Sequence, residues 1–291
     1  MHLSPALKGR AKFKPALRAE KVLVQSFLKI VGQEIKSGVA LANQTWRSPV
    51  AINPTIRPTN KERRLYIWFA ALMPLIILAG FARTYYLKGF FGNPPLPGLL
   101  VHIHGLVMTS WVVLFIVQVS LVARRRTRTH QRLGVLGAVL AGLIVVVGVL
   151  TAIAAAARGA SPGPPALQFL VIPFGDMLVF AILVGTALYY RRSRLDFHKR
   201  LMLLAAVNLL APAIARIPLS FIANGGALAF FGLTDLCILA CVGFDTIRNR
   251  RLHPAFLWGT LFIIAAQPLR LMLAGTDLWL RFATALVGLW K

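Results

Sequence analysis

The sequence predicts an all-α polytopic membrane helix bundle of about seven transmembrane helices, with the N-terminus cytoplasmic and the C-terminus outside. Three observations carry this expectation. Of 291 residues, 57% are hydrophobic and only 14% charged, whereas a soluble domain carries roughly a quarter charged residues. From residue 65 onward, apolar runs long enough to cross a bilayer alternate with short breaks. The charge is lopsided, with 33 Lys and Arg against 8 Asp and Glu, a net of +25. In so apolar a chain, that balance marks basic loops on the cytoplasmic face of a membrane and not a nucleic-acid partner. The composition also excludes a disordered chain. Two cysteines, both in one apolar run, supply neither a disulfide framework nor a zinc site.

Residues 1–60 form a basic N-terminal tail without an apolar run that could span. Within it, Val24, Phe27, Leu28, Val31 and Ile35 stand at helical spacing, with Lys21, Lys29 and Lys36 among them. That pattern predicts an amphipathic helix on an anionic membrane surface. Residues 61–277 hold seven apolar runs, at 65–82, 98–123, 133–157, 167–190, 201–222, 228–246 and 256–274. A span needs ~20 apolar residues to cross ~30 Å of hydrocarbon. In lipid every backbone N–H and C=O must be satisfied within its own segment, so these runs are expected as helices. Residues 278–291 are too short to span comfortably, carry Arg281 and end near Trp290. They predict a C-terminal interfacial helix. Leaving the tail aside, 13 Lys and Arg fall in the breaks assigned inside against 5 assigned outside. That asymmetry sets the orientation.

Polar groups within apolar runs are the candidates for function. Asp176, Asp235, Arg216, Arg270, Gln267, Asn208, His102 and His104 all lie in or at the edge of spans. A charge at the bilayer centre costs ~2.5 to 3.5 kcal/mol on insertion scales, so such groups are expected to face one another. Counted from the span ends, Asp176, Asp235, Arg216, Arg270, His102 and His104 fall at similar depth in the outer half, near Arg83 and Tyr85 of the first span. At least two carboxylate–guanidinium contacts are expected there. Pro173, Pro212 and Pro268 each stand within four residues of a charge. Broken helices beside charges are one way membrane proteins build cavities. The competing reading is that the ion pairs only fix helix register.

His130, His198 and His253 lie among arginines at the cytoplasmic ends of helices. They read as caps facing the headgroups. Haem b, held by two of them, is the minority cofactor reading; otherwise no cofactor is expected. A metal at His102 and His104 with a neighbouring carboxylate is likewise a minority reading, because the nearby arginines disfavour a cation. The basic loops are expected to contact anionic phospholipid headgroups.

The segments FARTYYLKG (81–89), HIHG (102–105), HQRLG (130–134), IPFGDMLVF (172–180), HKRLM (198–202) and QPLRL (267–271) resemble a family of bacterial multi-span inner-membrane proteins with no established activity. The resemblance covers residues 63–290. It implies a seven-helix fold and a bacterial inner membrane. A weaker likeness is to small His-bearing membrane proteins associated with oxidase assembly or b-type haem. Three functions follow as expectations: a small-ligand or proton-coupled transport or binding site at the polar cluster, an accessory or assembly subunit of a larger energy-transducing membrane complex, or a haem or metal redox protein.

The orientation has a direct test. With Cys237 and Cys241 replaced by Ala, a membrane-impermeant thiol reagent applied outside intact cells should label Cys placed at 160, and not Cys placed at 127 or 194. The reverse pattern would invert the topology.

Overall fold

The computed structural model describes residues 60–290 together with Gln25, Lys29 and Gln33, which are helical and exposed. The remainder of the expected N-terminal amphipathic helix lies outside the described residues. Within residues 60–290, ten α-helices follow one another: α1 (Asn60–Phe81), α2 (Leu99–Ala123), α3 (Thr127–Ala157), α4 (Ala166–Phe169), α5 (Val171–Tyr190), α6 (Leu195–Asn208), α7 (Ala211–Ile214), α8 (Ser220–Asn249), α9 (Pro254–Leu273) and α10 (Asp277–Gly288). A π-helical turn, Ala82–Tyr86, continues α1. Joining α4 to α5 and α6 to α7 gives seven segments long and apolar enough to cross a membrane. The described residues contain no strand.

The seven segments run up and down, so the breaks alternate between two ends. One end is arginine-rich, with turns at 124–126, 191–194 and 250–253. Two of these turns are closed by arginines in the left-handed region, Arg125 (φ 60°) and Arg250 (φ 56°). The other end is proline-rich, with breaks at 87–98, 158–165, 215–219 and 274–276.

The span made of α6 and α7 is the core. Leu203, Leu204, Ala205, Ala206, Val207 and Leu210 are fully buried, and α6 packs against α5, α8 and α9 while α7 packs against α1 and α8. Small residues allow this enclosure, because in lipid helices associate by close backbone approach. At Gly80 of α1 a Cβ would lie 2.0 Å from the Ala213 carbonyl oxygen, so only glycine lets α1 meet α7. On the outside, Trp68, Leu75, Tyr189, Leu228, Trp258 and Met272 are exposed, an apolar belt suited to lipid and not to water.

Prolines set the local departures from the expected runs. The fifth span was expected over 201–222. The helix instead starts at Leu195, breaks after Asn208 and stops at Ile214. Pro212 offers no N–H to the Asn208 carbonyl, and Pro218 cannot donate in a continuing helix. Arg216 therefore lies in the turn beyond α7 and not inside a span. Pro173 likewise splits the fourth span into α4 and α5 at Leu170.

The C-terminal helix α10 starts at Thr276, whose Oγ1 accepts from the Trp279 N–H (3.3 Å). At about 18 Å it is too short to cross. Trp279, Ala283 and Val287 are buried against the proline-rich ends of α3, α4 and α5, and the Trp279 indole N–H donates to the Leu167 carbonyl (2.8 Å).

The Gly80 contact predicts a contrast in melting of the detergent-solubilised protein. Gly80→Ala drives a methyl into backbone and should lower stability by about 1–3 kcal/mol. Gly142→Ala, in α3 with no neighbour within 4 Å of the added carbon, should be neutral or stabilising by up to ~1 kcal/mol.

Candidate functional site

At the proline-rich end, Arg270 of α9 contacts Asp176 of α5. Both are buried, at 5% and 3% exposure. Gly175 makes the approach feasible, because a Cβ there would lie 2.1 Å from Arg270 Cδ. Arg270 also donates from Nε to Ala266 O (2.9 Å) and from Nη1 to Ile172 O (3.4 Å). Its guanidinium carbon sits 5.0 Å from the centre of the Phe231 ring. Nη2 has no hydrogen-bond partner. Asn208, the last residue of α6, donates to the Asp176 carbonyl (3.4 Å).

Three residues before Arg270, Gln267 leaves α9 in another direction. Its Nε2 donates to Asp235 Oδ1 on α8 (2.8 Å). Helix α9 thus reaches α5 with a cation and α8 with a neutral amide. Asp176, Asp235, Gln267 and Arg270 form one cluster across α5, α8 and α9. It contains one carboxylate–guanidinium contact, not the two expected, because Arg216 is elsewhere.

Arg216 belongs to a second group. Its Nη1 donates to Pro212 O one turn back (2.7 Å), and its guanidinium carbon lies 4.9 Å from the centre of the Phe81 ring at the end of α1. Among the described residues no carboxylate pairs with it. Crowding by neighbouring protein lowers its pKa from the ordinary arginine value, yet the side chain is exposed. His104 of α2 lies within electrostatic reach of Arg216.

The π-helical turn brings Tyr85 and Tyr86 onto the same stretch of α2. Tyr85 OH donates to His102 O (3.4 Å), and Tyr86 OH pairs with Thr109 Oγ1 (2.9 Å). The glycine of HIHG has a physical reason: a Cβ on Gly105 would lie 2.2 Å from the Tyr85 hydroxyl oxygen. Arg83, in the same turn, stacks 5.3 Å from the centre of the Phe91 ring.

The arginine-rich end holds a network that the sequence reading missed. Arg200 of α6 grips Asp245 of α8 with two bonds, Nε to Oδ2 (3.0 Å) and Nη2 to Oδ1 (2.9 Å). Both residues are buried. Arg200 Nη1 also donates to Asp196 O (3.1 Å). His253 caps α9: its Nδ1 accepts from the Ala255 N–H (3.1 Å), so Nε2 carries the proton and donates to Asp196 Oδ2 (2.8 Å). The available signal was the stripe Thr234, Ile238, Cys241 and Asp245, all buried on one face of α8. Arg200 stands close after the basic turn at 191–194, where a charge is ordinary.

These bonds bear on the histidines considered for haem. Both ring nitrogens of His253 are engaged, which leaves no lone pair for a metal. His198 bonds Ala187 O through Nδ1 (2.8 Å). His130 bonds Gln118 through Nδ1 (2.7 Å), with the Gln118 amide assigned so that its Oε1 accepts from Gly134 N (3.0 Å). His130 and His198 lie within electrostatic reach of one another. Among the described residues no group of three or more His, Cys, Asp or Glu is placed to hold a metal ion.

Comparison with known proteins found no match to any family model, curated protein or solved structure.

Asp176→Asn would leave Arg270 buried and uncompensated, a loss of about 3–5 kcal/mol when one partner of a buried pair is removed. It should lower the melting temperature in detergent far more than Asp196→Asn, whose side chain is one-third exposed. Equal effects would show that the Arg270 contact contributes nothing.

Burial lowers the His253 pKa from its ordinary value, and the Asp196 carboxylate only partly offsets this. The folded state therefore resists a proton that the unfolded chain takes up near pH 6.5. Stability from this group is complete above pH 6.5 and is lost as pH falls below it. His253→Asn, which keeps a capping oxygen, should flatten that part of the melting-temperature profile. An unchanged profile would remove His253 as its source.

Proposed function

We propose that this chain is a bacterial inner-membrane protein that binds a small anion at its proline-rich end, with Arg216 as the receiving cation. On the positive-inside reading this end faces outward, and the arginine-rich end lies against anionic headgroups of the cytoplasmic leaflet. One observation carries the proposal. Arg200 and Arg270 each hold a buried carboxylate, while Arg216 does not and stands exposed against the Phe81 ring. A cation at the edge of the hydrocarbon without a protein counter-ion calls for an anion from elsewhere. His104, within electrostatic reach, is a donor of the right kind for the same ligand. Asp176 and Arg270 are then scaffold, and Asp235 with Gln267 supplies the polar lining above them that a proton-coupled binding or transport step would use.

A second reading, an accessory subunit of a larger membrane complex, rests on a different observation. Asp176, Arg270 and Gln267 are packed. Two surface hollows lie along α10, by Asp277, Leu280 and Arg281, and at the end of α8, by Phe244, Ile247 and Arg248. Neither reaches the cluster.

Thermal melting with added anions separates the two. Inorganic phosphate or succinate at about 100 times its dissociation constant stabilises a binding protein by about 2.7 kcal/mol. The unmutated protein should melt higher with one of these than with chloride at equal ionic strength, and Arg216→Gln should not respond. No response in the unmutated protein favours the accessory subunit.

A further inference from the structure

We infer that the anion at Arg216 is a phosphate oxyanion carried on a membrane lipid, entering sideways where α1, α7 and the start of α8 meet. This rests on the reading of Arg216 as an anion receiver and names the class of ligand. Depth is the first support. Arg216 lies against Phe81, 16 residues beyond Leu65, the first residue of the first span. At 1.5 Å per residue that is about 24 Å along the helix, within the ~30 Å of hydrocarbon. The guanidinium thus sits where acyl chains give way to headgroups, not out in the aqueous break. Lipid phosphate is the anion present at that level, and a long arginine side chain is suited to meet it.

The surroundings are the second support. The guanidinium lies against the Phe81 ring and donates to Pro212 O. Exposed apolar residues stand close by in sequence, beside the exposed Arg83, Thr84 and Ser220: Leu78 three before Phe81, and Leu219 and Phe221 three and five after Arg216. A water-soluble anion would gain nothing from them, whereas a lipid could bury its glycerol and upper acyl segments there. Charge is the third. Arg83, Lys88, His102, His104 and Arg216 gather on the breaks and helix ends of this corner, and the acidic Asp176 and Asp235 are engaged by Arg270 and Gln267. Arg216 can give a phosphate paired N–H groups, a geometry that a lysine cannot match. The Gly80–Ala213 contact steadies this corner, because it holds the backbones of α1 and α7 together three residues before Arg216.

Phosphate chemistry has two sources, a lipid or a soluble ester, and the experiment separates them. The full chain, delipidated in a neutral detergent, is titrated with phosphatidylglycerol, phosphatidylcholine and glycerol 3-phosphate, and bound species are counted by native mass spectrometry. Phosphatidylglycerol should bind at one saturable site. Arg216→Gln should weaken that site by about tenfold or more, the loss of one charge-assisted contact. Arg216→Lys should recover part of the affinity, and Arg132→Gln, exposed at the opposite end, should not change it. Melting of Arg216→Gln checks that it folds. Independently of any variant, phosphatidylglycerol with a photoreactive headgroup should crosslink to residues 78–81 or 216–221 of the unmutated protein. Equal lipid affinity in Arg216→Gln, or crosslinks confined to the arginine-rich end, overturns the inference. Glycerol 3-phosphate binding that requires Arg216, without lipid binding, overturns the lipid source and leaves the anion reading standing. No binding of any of the three overturns both.

Discussion

Three of the seven spans meet at the carboxylate of Asp176 or its backbone: α5 carries it, α9 neutralises it with Arg270, and Asn208 ends α6 against its carbonyl. In a low-dielectric interior neither charge is tolerable alone, so the positions of α5 and α9 are fixed together or not at all. Much of the local sequence serves that contact. Gly175 leaves out a side chain so that Arg270 can pass. Phe231 of α8 offers the guanidinium a ring face, and Pro268 loosens α9 just before Arg270. The GDM and QPLR segments are two halves of one device.

A second ion pair repeats the solution at the other end. Arg200 and Asp245 bind through two bonds, with His253 and Asp196 beside them. Helix α6 is therefore anchored at its first turn to α8 and α9 and at its last residue to α5. Its fully buried middle, Leu203 to Val207, needs no polar contact and has none to offer. The central span is held by polar groups at its ends and by dispersion between.

Fold class and the number of spans were legible in the sequence, because hydrocarbon thickness imposes a length and backbone satisfaction imposes a helix; so were the buried polar residues Asp176, Asn208, Gln267 and Arg270. Asp176, Gln267 and Arg270 could be selected by cost alone. Their partners could not, since ~100° of rotation per residue separates neighbours on a helix. Gln267 and Arg270 share a stripe by spacing, yet they serve α8 and α5 respectively. Arg216 was misplaced for a different reason. Hydropathy runs through Pro212 and Pro218 without a dip, while the backbone cannot, and the helix ends before the arginine. Arg200 and Asp245 escaped because both stand near span ends, where charge is ordinary. Only their facing stripes distinguish them from headgroup contacts.

The distribution of these restraints decides where the bundle can accommodate a ligand. Separating α5 from α9, or α6 from α8, would break a buried ion pair at about 3–5 kcal/mol each. Between α1, α7 and α8 no described ion pair stands in the way. The contacts there are a glycine against a carbonyl, a ring under a guanidinium, and two breaks in helical order at 87–98 and 215–219. Tyr85 and Tyr86 bind α1 to α2 through exposed hydrogen bonds, which exchange for water at little net cost. The chain thus concentrates its irreplaceable pairs on one side of the core and leaves the uncompensated arginine on the other. A site that must admit and release an anion belongs on the second side, where opening exposes no unpaired charge that was not already exposed.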